Sequence, residues 1–121
     1  MEPQPIGTKF YNAELSDFAS RVLISPAANV NGLILRTASL AVGTAILRLT
    51  TGTKAPSGYE DKTVPTILVC NGAGISSGSN YGDYATLPFP LVIPAGQGLF
   101  AYVNQSGSGK VAITYDLVPA E

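Results

Sequence analysis

The chain has 121 residues, one Cys and no His, and its 7 Lys plus Arg against 8 Asp plus Glu leave a net charge of −1. That length suits one domain, the charge balance offers no basic patch for nucleic acid, and no apolar run approaches the ~18 residues of a membrane helix. Charged residues are only 12% of the chain, about half of the ~25% usual in globular domains, which predicts a surface covered in part by other protein.

The opening MEPQPIG has neither the basic stretch nor the apolar stretch of a secretory signal, so folding in a reducing cytosol is expected. Pro3, Pro5 and Gly7 predict an extended N-terminal arm over residues 1–12, with residues 13–121 forming a single β-sandwich domain. Leu15, Phe18, Ala19 and Val22 have helical spacing, with Asn12 as a possible N-cap. Phe18, Ser20, Val22 and Ile24 have strand spacing, and the β-branched residues before Ser25-Pro26 favour a strand from about Ala19. Two apolar runs follow, 32–38 (GLILRTA) and 44–51 (TAILRLTT), bounded by Asn31-Gly32, Gly43 and Gly52.

Residues 52–63 read as a polar Gly/Pro loop, 64–70 as a short strand, and 71–86 as a long loop rich in Gly, Ser, Asn and Tyr. Leu91, Val92 and Ile93 form a buried strand between Pro90 and Pro94. PAGQG then turns the chain into 99–103, with Gly96 and Gly98 expected at positive φ. Val111, Ile113, Tyr115 and Leu117 alternate with Lys110, Ala112, Thr114 and Asp116, so the last two runs read as a β-hairpin across 104–109. Seven or eight short strands and no long helix predict an all-β sandwich or barrel. The strands at 33–35, 91–93 and 99–103 are apolar on both faces, so the second face needs a loop or a neighbouring subunit over it.

Catalytic chemistry finds few residues to use. SGSGK (106–110) suggests a phosphate loop, but Asn104 stands where the first Gly is needed and Val111 where the Ser or Thr is needed. Without His the usual general base is missing, and Cys70, inside an apolar run, reads as a buried inert thiol. Glu60-Asp61 beside Lys62 reads as a solvated turn. Asp83 with Asn80 and backbone carbonyls could hold calcium, but the EF-hand spacing is absent, so no metal or other cofactor is expected. Asn80, Tyr81, Asp83 and Tyr84 form a candidate binding loop for sugar or protein, or the tyrosines simply cover the sheet. Arg21, Arg36 and Arg48 alternate with apolar neighbours in predicted strands. They should point outward, as solvated residues or as interface arginines pairing with acidic groups on a partner.

The stretch PLVIPAGQGLFAYVN resembles a recurring piece of small viral jelly-roll domains, which often end in a hairpin much like 110–118. With its length and low charge, the chain resembles the small jelly-roll proteins of tailed bacteriophage particles, above all the capsid cement (decoration) proteins. The resemblance implies an antiparallel β-sandwich of jelly-roll type and a non-enzymatic virion structural protein stabilising a phage shell. It also implies a homo-oligomer, a trimer by preference, bound to the major capsid protein or another virion protein after assembly in the host cytoplasm. The alternative is a receptor- or glycan-binding module, such as a fibre tip or a lectin-like domain.

Overall fold

Alternating apolar and polar residues build two antiparallel sheets. The computed structural model describes residues 5–16, 20–43, 46–57, 61–71, 83–103 and 108–119. Within them lie β1 (Lys9–Ser16), β2 (Ser20–Ile24), β3 (Leu33–Val42), β4 (Ile46–Gly52), β5 (Thr66–Asn71), β6 (Asp83–Thr86), β7 (Leu91–Ile93), β8 (Gly98–Val103) and β9 (Ser108–Leu117), with one 3-10 turn at Pro26–Ala28. Sheet A runs β1-β9-β3-β6, with β7 also on β3; sheet B runs β2-β8-β4-β5.

Strands β6 and β7 are two halves of one strand. Asp83 to Thr86 pair with Val42 back to Ser39, and Leu91 to Ile93 continue along Leu35 to Leu33. Between them Pro88 and Pro90 cannot donate to the ladder, so the strand breaks there. Counted this way the described residues form an eight-stranded jelly roll, as expected. The hairpin expected across 104–109 is not formed: β8 belongs to sheet B and β9 to sheet A. Their apolar residues meet across the core, with Leu99, Ala101 and Val103 from one sheet and Val111 and Ile113 from the other. Alternation specifies a half-buried strand but says nothing of its lateral partner.

Two strands arise where none was expected. Residues 9–12, placed by sequence in the arm, belong to β1, paired with β9 from Lys9↔Tyr115 onward. Asp83–Thr86, placed in the long loop, forms β6 because Val42 to Ser39 offer it a free edge.

In β3 one alternation would turn half of the strand outward. A bulge between Leu35 and Thr37 prevents this by adding Arg36 to the count. Buried positions accordingly switch from Leu33 and Leu35 to Ala38, Leu40 and Val42. Strand β8 shows how a two-sided apolar strand is covered from within. Phe100 points away from the central cluster yet is buried, as are Thr50, Pro56 and Val64, none of which belongs to that cluster. The segment after β4 therefore supplies a second layer over sheet B. Strand β7 has no such cover, and Val92 is 72% exposed.

The crossing from β7 to β8 is a type II turn, with Gly96 at φ +84° and the Gln97 amide donating to Pro94 O at 3.2 Å. Gly98, expected to share the positive φ, does not have it; its reason is a close approach to the end of β2. The turn is tied down by Asn29, fully buried, whose Nδ2 donates to Pro94 O and to Gln97 O at 2.8 Å each.

Candidate functional site

Pairing in sheet A fixes which side chains share its outer face. Glu14, Lys110, Ala41 and Tyr84 form one row across four strands, and Asn12, Ala112, Ser39 and Thr86 the next. Phe10, Thr114 and Thr37 form a third row. Apart from Lys110 the middle of the face carries small side chains, and the result is a groove of about 480 Å³ between Tyr84 and Thr86 on one side and Asn12 and Glu14 on the other. A second depression of about 330 Å³ adjoins it over Thr37, Ser39, Ala112 and Thr114.

Charge on this face is neutralised within the chain. Lys110 Nζ lies 3.8 Å from Glu14 Oε1, both exposed, a pair that contributes little to stability. Arg36, lifted by the bulge, donates from Nε to Asp116 Oδ2 at 3.0 Å. Asp116 Oδ1 accepts from the Thr8 amide at 2.8 Å and from the Thr8 hydroxyl at 2.7 Å. The Gly7 amide donates to Thr114 Oγ1 at 3.0 Å, so the N-terminal segment crosses over β9. A Cβ on Gly7 would stand 2.2 Å from Tyr115 N, which is why glycine is needed at this crossing.

The Thr8 amide first, then its hydroxyl, then Arg36 hold the Asp116 carboxyl down at about 2, from an ordinary 3.8. A folded-state pKa below the unfolded one gives stability that is present above pH ~4 and lost as pH falls towards 2. Melting temperature is therefore expected to hold steady above pH ~5 and to fall between pH 4 and 2. The Asp116→Asn variant should show a shallower fall; an identical acid limb in both proteins would rule out this anchor. Asp61 is also held low, by the Thr63 hydroxyl and by the Ser57 and Thr63 amides, so it serves as the tie of its own loop.

Large apolar side chains lie exposed at both edges of the groove face. The β6–β7 edge carries Tyr84, Phe89 and Val92, exposed by 76, 62 and 72%; the opposite edge carries Phe10, exposed by 71%. Val92 shares the outer face with Ile34, its partner across the ladder.

The residues singled out in the sequence scatter. Arg36 lies on sheet A in the ion pair described. Arg21, on edge strand β2, is in register with core-facing Ala101 and donates to Tyr11 Oη at 3.3 Å, across the rim of the sandwich. Arg48, expected outside, is on the outer face of sheet B but only 7% exposed, and its Nε and Nη2 donate to Thr66 Oγ1. Tyr84 is on β6, at the lip of the groove. Asp83 contributes its backbone to the same strand, while its side chain, like Asn80 and Tyr81, lies outside the described residues. Cys70 is buried and its thiol donates to Leu40 O at 3.6 Å. Among the described residues no group of three His, Cys, Asp or Glu side chains comes together, and no helix is long and apolar enough to cross a membrane.

Sequence reading passed over Phe10, Phe89 and Asn29. Tyr11, Ala13 and Leu15 alternate with Phe10, Asn12 and Glu14, which would have placed Phe10 on an outer face. Phe89 between Pro88 and Pro90 was a legible signal for a fixed, displayed aromatic.

No family model and no curated protein sequence matches this chain. Among solved structures, it is similar to a chain in the acidic stable capsid structure of Helicobacter pylori bacteriophage KHP30. The TM-score is 0.58 at 14% identity, covering 93% of this chain and 88% of that one. A pentameric capsid protein from metagenomic phage sequences gives 0.46 at 16% identity, over 87% of this chain and 64% of that one. The nucleoplasmin-like N-terminal domain of Drosophila FKBP39 gives 0.44 at 9% identity, over 93 and 92%. The KHP30 likeness shows a shared fold.

Proposed function

We propose that this chain is a non-enzymatic virion structural protein of the cement (decoration) type, binding across subunit junctions of a phage shell as a homo-oligomer, a trimer by preference. The observation that carries the reading is the jelly roll itself, shared along nearly its whole length with a chain of a phage capsid structure. The outer face of sheet A supports it, because its groove has a mostly apolar floor and exposed Tyr84 at its lip, the composition of an interface core. On this reading the chain assembles onto the major capsid protein, or another virion protein, in the host cytoplasm. Arg21, exposed at the rim, and Tyr84, with Asn80, Tyr81 and Asp83 before it, contact the partner; Arg36 and Arg48 hold the surface from within.

A protein that binds the assembled shell and not free subunits raises shell stability by mass action. Purified protein is expected to co-sediment with phage particles from its source and to raise the temperature at which they release DNA. Tyr84→Ala should weaken co-sedimentation several-fold. Wild-type protein left entirely in the supernatant would overturn the shell reading. Binding to a glycan array, lost in Tyr84→Ala, would instead favour the glycan-binding module, for which the groove beside an exposed tyrosine is the supporting observation.

A further inference from the structure

The segment that crosses over β9 is fastened without being buried. Gly7 stands on the outer face above Tyr115, between the side chains of Thr114 and Asp116, where a Cβ would lie 2.2 Å from Tyr115 N. Its hold is polar: the Gly7 amide donates to Thr114 Oγ1, and the Thr8 amide and hydroxyl donate to Asp116 Oδ1. Burial adds little, since Pro5, Ile6 and Thr8 are exposed and Gly7 has no side chain. The groups beneath it keep other partners when it leaves. Asp116 Oδ2 still accepts from Arg36 Nε at 3.0 Å, and Thr114 Oγ1 still meets Thr37 Oγ1 at 2.7 Å. A segment that leaves with no apolar side chain to expose and no buried polar group to orphan has a low free energy of opening. We propose that residues 5–8 are a strap that opens as its own unit while the sandwich stays folded, and that the closed strap competes with the shell partner for the outer face of sheet A.

Competition follows from where the strap stands. On one side of it lies the depression over Thr37, Ser39, Ala112 and Thr114, which adjoins the groove. On the other lies the row of Asp116, Ile34 and Val92, in which Val92 is 72% exposed. A backbone seated on β9 between them is a ridge, and a partner fitted closely to one side of a ridge is held off the other. Lifting the strap turns the two areas into one surface. A partner that binds the lifted form has its apparent affinity reduced by the fraction of chains in that form, so the closed strap holds binding back. The inference rests on the shell reading above and adds to it a contact within the chain that opposes docking.

Amide hydrogen exchange at neutral pH, with melting temperature beside it, tests the strap on wild type and Gly7→Ala. This substitution leaves every residue of the two sheets in place and unseats the crossing alone. In wild type the amides of residues 7 and 8 are expected to exchange faster than those of β3 and β9. In Gly7→Ala they should exchange faster again by about tenfold or more, with β3 and β9 protected as before. Melting temperature should move by about 2 °C or less, although the Cβ would clash with backbone as closely as one on Gly98. A larger fall, or protection lost in β3 and β9 as well, would make the segment part of the cooperative fold and overturn the strap. Gly7→Ala is also expected to co-sediment with particles several-fold more tightly than wild type, and Thr8→Val to shift in the same direction. Equal or weaker binding by both variants would overturn the competition. Wild-type protein left in the supernatant fails the shell reading and the competition with it, while exchange, read without particles, still decides whether the strap opens on its own.

Discussion

Replacing Asn29 with Ala is expected to lower stability by about 2–4 kcal/mol, out of proportion to a surface-connection residue. Asn29 is wholly buried just after the 3-10 turn, and its Nδ2 bridges Pro94 O and Gln97 O at 2.8 Å each. Its own backbone oxygen accepts from the Gly96 amide at 2.8 Å. One side chain thus ties the crossing between β7 and β8 to the connection between β2 and β3. Truncation takes a donor from the partly buried Gln97 O and leaves Pro94 O with the Gln97 amide alone, and an unpaired group of this kind costs about 1–3 kcal/mol. Asn29→Asp should be worse, since it sets a buried carboxylate against carbonyl oxygens where two N–H donors stood. Among the described residues Asn29 Oδ1 has no partner, so the donor half of the amide holds the turn. Urea unfolding reads the effect as a lower midpoint at unchanged slope. A loss under ~0.5 kcal/mol for Ala, or an Asp variant more stable than Ala, would contradict this role.

Gly98→Ala is the second substitution with a large expected effect, again about 2–4 kcal/mol. A Cβ there would lie 2.4 Å from Ile24 O and 2.9 Å from Pro26 N, both backbone atoms that no rotamer change can move aside. The end of β2 would have to lift off β8. Gly96, two residues earlier, provides the contrast. Its φ of +84° disfavours a Cβ, but among the described residues none beyond its chain neighbours comes within 4 Å of where that Cβ would be, so Gly96→Ala should cost only about 1 kcal/mol. At roughly 3–5 °C per kcal/mol for a chain of this size, the two melting temperatures should differ measurably. If Gly96→Ala proved the more damaging, close approach at Gly98 would not be the constraint.

The two glycines sit in one PAGQG turn, and the sequence assigned both the same reason. A turn motif announces that glycines are needed there, but positive φ and steric proximity leave the same letter in the chain. Only the position of Ile24 and Pro26, more than seventy residues away, separates them. Residues 99–103 and 111–117 teach the same lesson at larger scale. Their alternation was legible as strand, and strand they are. Their pairing was not, because a period of two marks which side chains face a core and leaves open which edge each strand meets.

Local patterns in the sequence determined that this chain is all-β, where most of its strands lie, that β7 is framed by prolines, and that the surface is poor in charge. Those properties are carried by neighbours within a few residues, through φ restriction, turn chemistry and alternation. Tertiary structure alone decided the rest. It sent β8 and β9 to opposite sheets, drew 9–12 and 83–86 onto free edges, and covered Phe100 from within while leaving Val92 open. It also separated Arg21, Arg36 and Arg48 and assembled the groove from Asn12, Ser39, Ala41, Tyr84 and Ala112. These outcomes depend on contacts between residues far apart in the chain, and no local period encodes which distant segment wins a given edge.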